Sequence, residues 1–482
     1  VMGSKSEQKI EAVLELAILE IETIGNCQHG RPTFITNRYG NPIALRAGSK
    51  PLRKMFYQIA GSLGFRLSRR QIESVETALC DIAFASDVTL QVSLRVANLS
   101  NGSVEIYLAD PERHVVRLHE GEVTILKEGA QAVFEEPATM KPLPMPSGDG
   151  DYKLFLKYMN MSNRCKSLLI SWITYTLSLG KIPSSNYVLL AITGLMGSGK
   201  TSLIKMILDV VDASTIGTQL FPKSSKDLIT TSQNLHLASF DNTRFISKSD
   251  SDVLAICCTG GFSSTRELYT NSGVHTNHLH LGLIVNSIHQ AVTEQDLIDR
   301  SLPIEMHPME QSARRSEKQL IAEFQAELPE LYMGLLKLTA KIKAELPNAT
   351  ITSPERMIDF VHWLAAMENV VENSGDLQGY YSELLSNSQL ETLLENPLFS
   401  AVIDLCEKNK DKVYESTPSK LLAQLTWDAS STDLRSPDWP KSASSLSKKL
   451  TSLIPALLEQ SVIVELSRGK ERKITLMHTE LY

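Results

Sequence analysis

Val188-Leu-Leu-Ala-Ile-Thr-Gly194-Leu-Met-Gly-Ser-Gly199-Lys200-Thr201-Ser-Leu-Ile-Lys-Met-Ile-Leu208 is the stretch that decides the fold. It opens as a continuous apolar run, the pattern of a strand buried on both faces. Its middle matches G-x-x-x-x-G-K-[ST] at every fixed position. By average residue usage, a chance match in a chain this long is on the order of one in fifty. It closes with apolar residues at helical spacing. Strand, glycine loop and helix together form the setting in which this motif cradles phosphates. Glycines let backbone N–H groups turn inward where side chains would clash. The helix N-terminus adds partial positive charge. The expected nucleotide-binding residues are Gly194, Gly197, Ser198, Gly199, Lys200, Thr201 and Ser202. Lys200 is expected on the β- and γ-phosphates of ATP, and the Thr201 hydroxyl on Mg²⁺.

Such a loop needs a second strand that ends in a carboxylate to hold the metal. Leu235-His-Leu-Ala-Ser-Phe240 is an apolar run that ends in Asp241-Asn242. A carboxylate at the end of a buried strand is costly unless it faces a cation. Asp241 is therefore the expected second metal ligand; the plainer reading is an Asp-Asn turn after a core strand. Asn242 can orient water but cannot take its proton. A third apolar run, Leu279–Asn286, ends in an Asn placed to meet the γ-phosphate or the attacking water, or only to cap the strand. Asp296-Leu-Ile-Asp299-Arg300 precedes another short strand. There Arg300 either serves a phosphate or pairs with Asp299 on the surface.

Working outward, the chain has 482 residues, enough for roughly three domains. Hydrophobic residues make up 42% and charged residues 21%, ordinary globular values. No run approaches the ~20 apolar residues of a membrane helix. The N-terminus lacks a basic start followed by an apolar run, and the six cysteines form no C-x-x-C. A soluble, reduced protein of the bacterial cytoplasm is expected, with no membrane partner. The net charge of −7 excludes a chain-wide nucleic-acid coat, so any DNA-binding surface must be local. Residues 31–70 carry nine basic residues and no acidic one.

Helices are expected over Glu7–Thr23 and Leu52–Leu63. From Val88 the alternation of apolar and polar residues predicts strands, with a turn at Asn101-Gly102, and hence a small antiparallel β domain. Lys141–Gly150 reads as a linker by its Pro and Gly content. Helical patterns fill 312–345, 354–372 and 378–408. His275, His278 and His280 sit close together, but a strand would not bring all three to one face. Cys257-Cys258 reads as core.

With these pieces in order, the chain resembles the AAA+ ring ATPases. More narrowly it resembles the superfamily 3 helicases and the primase-associated helicases of viruses, phages and mobile elements. The further support is Thr259-Gly-Gly-Phe-Ser-Ser-Thr-Arg266-Glu-Leu-Tyr269. Those families carry Thr-Gly-Gly and then a basic residue at this point, in a hairpin that reaches into a central pore. The resemblance implies that Arg266 touches single-stranded DNA, with Phe262 or Tyr269 stacking on bases. The alternative is a hairpin that only packs subunits together. It implies that Arg300 reaches the γ-phosphate of a neighbouring subunit in a ring, with a hexamer expected. Two departures stand out. Asn242 occupies a position where Glu is commoner, and Phe262 follows the Gly pair where many such helicases carry an acidic residue.

The C-terminal segment reads helix, helix, basic hairpin. Pro418 opens a short helix and Ser442–Leu458 a longer one. Val462–Leu466 and Lys473–Leu476 flank Arg468-Gly-Lys470-Glu-Arg472. That element order resembles a winged-helix domain, with Lys448, Lys449, Arg468, Lys470 and Arg472 as candidate DNA contacts. Winged helices also mediate protein contacts, and that reading stays open.

The expected fold is an α/β P-loop AAA+ ATPase core with an N-terminal α+β domain and a C-terminal winged-helix domain. The expected boundaries are 1–140 for the N-terminal domain, 141–150 for the linker and 151–310 for the ATPase domain. A helical region over 311–414 and the winged helix over 415–482 follow. The expected catalytic set is Lys200, Asp241, Asn242, Asn286 and Arg300, with ATP and Mg²⁺ as cofactors. The implied activity is a replicative helicase or initiator that moves on single-stranded DNA and grips duplex DNA. A separate primase or polymerase is an expected partner. The alternative is an ATP-dependent assembly switch or DNA-bound regulator with slow hydrolysis.

Overall fold

The computed structural model describes residues 5–37, 40–182, 184–232, 234–266, 274–309, 316–436, 438–468 and 472–479. The chain forms two compact units, Val1–Leu385 and Ser386–Tyr482.

The first unit opens with α1 (Lys5–Glu20), β1 (Thr23–Cys27), β2 (Pro32–Thr36) and β3 (Ile43–Arg46). Helices α2 (Lys50–Ser62) and α3 (Arg69–Phe84) follow. Helix α3 starts at a capping box, in which Ser68 and Gln71 satisfy each other's backbone N–H groups. Then come β4 (Thr89–Leu90), β5 (Val92–Ser93), β6 (Val96–Asn98), β7 (Val104–Tyr107), β8 (Val115–His119), β9 (Glu122–Leu126) and β10 (Val133–Glu135).

The alternating run from Val88 is thus not one strand. Leu90 pairs with β1 and Val92 with β10, at opposite edges of a sheet ordered β4-β1-β2-β3-β10-β5. The first and last strands of that sheet are consecutive in the chain. Gln28 stitches the edges by bonding Val92 through both its amide groups, at 2.8 and 3.0 Å. The expected antiparallel meander is the separate four-stranded sheet β6-β7-β8-β9. Its apolar residues Val96, Val104, Ile106, Val116 and Leu118 join the same core as the elements that follow. The expected boundary near residue 140 therefore falls inside one compact unit.

The Pro-rich 141–150 stretch is held in place. Lys141 N–H donates to Ala213 O at 2.9 Å, Leu143 N–H to Leu108 O at 2.8 Å and Ser147 N–H to Pro329 O at 3.1 Å. A 3₁₀ turn, Tyr152–Tyr158, leads to α4 (Asn163–Ser178), β11 (Leu189–Thr193) and α5 (Lys200–Val211). Next are β12 (Thr218–Leu220), α6 (Ser225–Ser232), β13 (Leu237–Asp241) and α7 (Lys248–Thr259). The hairpin β14 (Gly261–Arg266) and β15 (Val274–Leu279) precedes β16 (Gly282–Asn286), α8 (Gln295–Ile298) and β17 (Ser301–Glu305). Strands β12, β13, β16, β11 and β17 pair in that order, all parallel. Helices α9 (Glu317–Glu345) and α10 (Ile358–Val370) pack against α4, and α11 (Leu377–Leu394) follows.

The expected helix over 378–408 is two helices. Asn396 accepts from Leu398 N–H and Phe399 N–H, and Pro397 takes the first position of α12 (Pro397–Lys408). In the second unit, β18 (Tyr414–Ser416), α13 (Pro418–Asp428) and α14 (Ala443–Glu459) precede the hairpin β19 (Val462–Arg468) and β20 (Arg472–His478). The sheet order is β18-β20-β19. Leu421, Leu425, Leu446, Leu450, Leu457, Val464 and Ile474 form its core.

One buried ion pair joins the four-stranded sheet to the parallel sheet. Arg95 is fully buried and its Nε lies 3.1 Å from Asp212 Oδ1. Its other nitrogens donate to Tyr107 O, Lys141 O and Ala213 O. Asp212 follows α5, and its Oδ2 accepts from His236 N–H at 2.9 Å and Leu237 N–H at 3.0 Å, where β13 begins. Removing one partner of such a pair strands the other charge in the interior. Arg95→Leu is expected to destabilise the first unit by about 3–5 kcal/mol, read as a lower denaturant midpoint in urea unfolding. An unchanged midpoint would show that this pair contributes nothing.

Candidate functional site

The C-terminal ends of β11, β13 and β16 lie side by side and deliver three polar groups. Strand β11 opens into the loop Gly194–Gly199. Gly194, Gly197 and Gly199 have φ of 148°, 80° and 92°. A Cβ on Gly194 would meet Met306 O at 2.8 Å, so this position excludes larger residues twice over. Gly199 is the N-cap of α5, and no side chain caps that helix. Its first-turn N–H groups thus face the loop, the geometry that favours an anion.

Lys200 Nζ sits inside the loop, donating to Gly194 O at 2.5 Å and Leu195 O at 3.0 Å. Burial lowers its pKa below the ordinary lysine value, and the charge of Asp241 opposes that shift. Thr201 Oγ1 donates to Asp241 Oδ2 at 3.2 Å. Asp241 Oδ1 accepts from Asn286 Nδ2 at 2.5 Å and from Asn242 N–H at 2.8 Å. Strand β16 lies between β11 and β13, which is why Asn286 reaches Asp241. Asn286 is 1% exposed, and its Oδ1 has no hydrogen-bond partner among the described residues. A buried acceptor of this kind suits a ligand hydroxyl or water. Ser198 is buried beside Lys200, and Ser202 is half-buried in the first turn of α5. Asn242 is exposed at φ 53°, a strained value for a residue other than glycine.

The donor set fits a nucleotide triphosphate with a divalent cation. The loop offers positive-φ glycines, an uncapped helix start and one lysine. A hydroxyl and a carboxylate 3.2 Å apart provide hard oxygen ligands.

Arg300 lies elsewhere. It precedes β17, the neighbour of β11, at the N-terminal end of the parallel strands and away from the glycine loop at their C-terminal end, and is 9% exposed. Its Nη1 is 2.6 Å from Asp296 Oδ2, so the acid it pairs with is Asp296, where the alternative reading of the sequence names Asp299. Asp299 lies 3.9 Å from Arg356. The hairpin β14–β15 leaves from that same end of the strands, just before β16. Its base carries Phe262, 66% exposed, whose ring lies 5.1 Å from His278. His278 also stacks on His29 at 4.8 Å, a contact with the N-terminal region that sequence reading missed. The Arg266 side chain and all of Tyr269 lie outside the described residues. In the second unit Lys448 and Arg472 are exposed, and Lys449 Nζ is 3.4 Å from Asp438 Oδ1. Lys470 and the Arg468 side chain lie outside the described residues. Cys257 and Cys258 are buried in α7. Among the described residues no cluster of metal-ligating side chains occurs, and no helix is long and apolar enough to cross a membrane.

This fold is a mixed α/β architecture similar to that of helicase domains. Residues 152–387 match the family model of the actinomycete integrative conjugative element replication protein. Residues 398–480 match the model of the C-terminal domain of the same replication protein. The two matches follow in order and together cover about two thirds of the chain, which belongs to this family of mobile-element replication proteins. No curated protein matches it. Among solved structures, SCCmec type IV Cch, described as an active helicase, aligns with 96% of this chain and 93% of its own, at 11% identity and a TM-score of 0.51. The C-terminal region of NrS-1 aligns with 97% of this chain and 98% of its own, at 14% identity and a TM-score of 0.39. The first likeness is one of fold.

The buried histidines beneath the sheet make stability pH-dependent. Burial lowers His236 and His280 to about 4. His236 also lies near Lys181 and Arg95, with Asp212 opposing them. Both histidines stay neutral in the fold, whereas in the unfolded chain they protonate near pH 6.5. Their contribution is present above that value and falls as pH drops from about 6.5 to about 4. The slope is on the order of 1.4 kcal/mol per pH unit for each group. Melting temperature is expected to fall across this window, and His280→Asn to flatten the fall. An equally steep fall in the variant would assign it to other groups.

Proposed function

We propose that the chain is an ATP-driven DNA helicase of the AAA+, superfamily 3-like type that initiates replication of a mobile element in the bacterial cytoplasm. The observation that carries this reading is the bonded series Thr201–Asp241–Asn286 at the mouth of the Gly194–Thr201 loop. Lys200 and the α5 N-terminus hold the phosphates of ATP. Thr201 and Asp241 hold Mg²⁺, which supplies charge neutralisation at the phosphoryl oxygens. Asn286, with its free buried Oδ1, orients the attacking water. Asn242 stands at the solvent side of the same carboxylate.

Arg300 supports a ring. Within one chain it lies at the N-terminal end of the strands while the loop lies at their C-terminal end, so it can serve a phosphate only in another copy. Its release from Asp296 would accompany that engagement. A homo-oligomer, with six subunits expected, then turns hydrolysis into movement of the β14–β15 hairpin along single-stranded DNA. The second unit, read as a winged helix, grips duplex DNA through Lys448, Lys449, Arg468, Lys470 and Arg472. A separate primase or polymerase completes initiation.

Asn242 favours a second reading. It cannot act as a base, and an ATP-dependent switch with slow turnover would need none. Steady-state ATP hydrolysis with and without single-stranded DNA separates the two. The helicase predicts strong stimulation by the DNA, and loss of turnover by 100-fold or more in Lys200→Ala. Tight ATP binding with negligible turnover in both conditions would favour the switch, and unchanged turnover in Lys200→Ala would refute the site.

The hairpin has its own test. Arg266→Ala is expected to keep basal ATP turnover and lose most of its stimulation by DNA. Full stimulation would remove Arg266 from the DNA path.

A further inference from the structure

The acid-free run 31–70 folds into β2, β3 and the exposed face of α2. That helix divides cleanly. Leu52, Met55, Phe56, Ile59 and Ala60 are buried against the N-terminal core. Lys50, Arg53, Lys54 and Tyr57 follow the i, i+3, i+4, i+7 spacing of one stripe on the other side. They line a shallow groove with Gln58, and a cleft of about 770 Å³ continues from Lys50 and Lys54 toward Arg113.

The charges on this stripe are unequal. Arg53 is committed to Glu76, at 3.4 Å. Arg113 lies 3.8 Å from Glu136, the carboxylate that faces the cleft, and Glu136 also accepts from the Tyr107 hydroxyl. Lys50 and Lys54 are exposed and have no acidic partner among the described residues. Tyr57 is 53% exposed beside them. Tyr57 lies one turn beyond Lys54 on this stripe, so an exposed ring follows two ammonium groups that lack an acidic partner. Cations that track a backbone, with an aromatic platform among them, are the recognition chemistry of unpaired bases. A duplex offers this ring no base face. A lipid surface would call for a flanking apolar patch, and the stripe has only Tyr57.

We propose that the Lys50–Tyr57 face of α2 is a second single-stranded DNA contact, distinct from the hairpin and from the second unit. The inference rests on the helicase reading only in that the chain meets DNA. Lys50 and Lys54 contact phosphates, and Tyr57 stacks on a base.

Fluorescence anisotropy with a labelled single-stranded oligonucleotide, titrated with salt, tests it in the full-length protein. In Lys50→Gln/Lys54→Gln, the slope of log affinity against log salt is expected to fall by about 1.4, roughly 0.7 for each lost contact. Tyr57→Ala is expected to weaken binding roughly fivefold or more, with little change in slope. Basal ATP turnover and melting temperature stay as in the parent, since these side chains are exposed on a helix that packs into a different core from the helix of Lys200. An unchanged slope in the double variant, with Arg266→Ala or Arg472→Ala still weakening binding, would overturn this contact and leave the helicase reading intact. Loss of duplex binding alone, with Tyr57→Ala silent, would overturn the single-strand assignment. A parent protein that binds no DNA would overturn both readings.

Discussion

A carboxylate at the end of a buried strand has to be satisfied, and Asp241 sets the terms for the whole site. Its chain-neighbour faces are apolar: Leu237, Ala238 and Phe240 are buried in β13. Its charge is met by the Thr201 hydroxyl from the helix after the glycine loop, by the Asn286 amide from the adjacent strand and by the Asn242 N–H. Each donor comes from a different segment. Bringing them together fixes the order in which β11, β16 and β13 pair. The catalytic reading is therefore a consequence of strand order as much as of any motif.

The same two elements are clamped at their far ends. Asp212 closes the C-terminus of α5 and accepts from the first N–H groups of β13. Arg95 locks Asp212 from the four-stranded sheet. Helix α5 carries Lys200 and Thr201 at its start, and β13 carries Asp241 at its end. One buried carboxylate thus sets the spacing between the glycine loop and Asp241. This is also consistent with the four-stranded sheet sharing a core with the parallel sheet instead of standing apart. Rigid support beneath a site keeps its geometry within the tolerance that phosphoryl transfer needs.

Much of this was legible in the sequence because it is local. The glycine loop, the apolar runs that end at Asp241 and Asn286, and the amphipathic α14 are each decided by residues within one turn or strand. What was not legible depends on pairing across long separations. Arg95 and Asp212 lie 117 residues apart, and nothing near Arg95 marks it as buried. Asn286 could be read as a strand-end residue, but its bond to Asp241 follows only from strand order. The run from Val88 alternates like one strand, yet Leu90 and Val92 serve opposite sheet edges. Some misses had signals. Ser68-x-x-Gln71 announces α3, and Asn396-Pro397 announces the break between α11 and α12. Arg300 has two acids within four residues, and sequence alone could not choose Asp296.

On the proposed reading, nucleotide turnover at the Asp241 site is converted into strand separation. Displacement of one strand from a forked DNA duplex, followed over time with ATP and Mg²⁺, tests it most directly. A helicase yields ATP-dependent accumulation of single strand in molar excess over protein. Binding of the fork, with ATP consumed and no strand released, would contradict it.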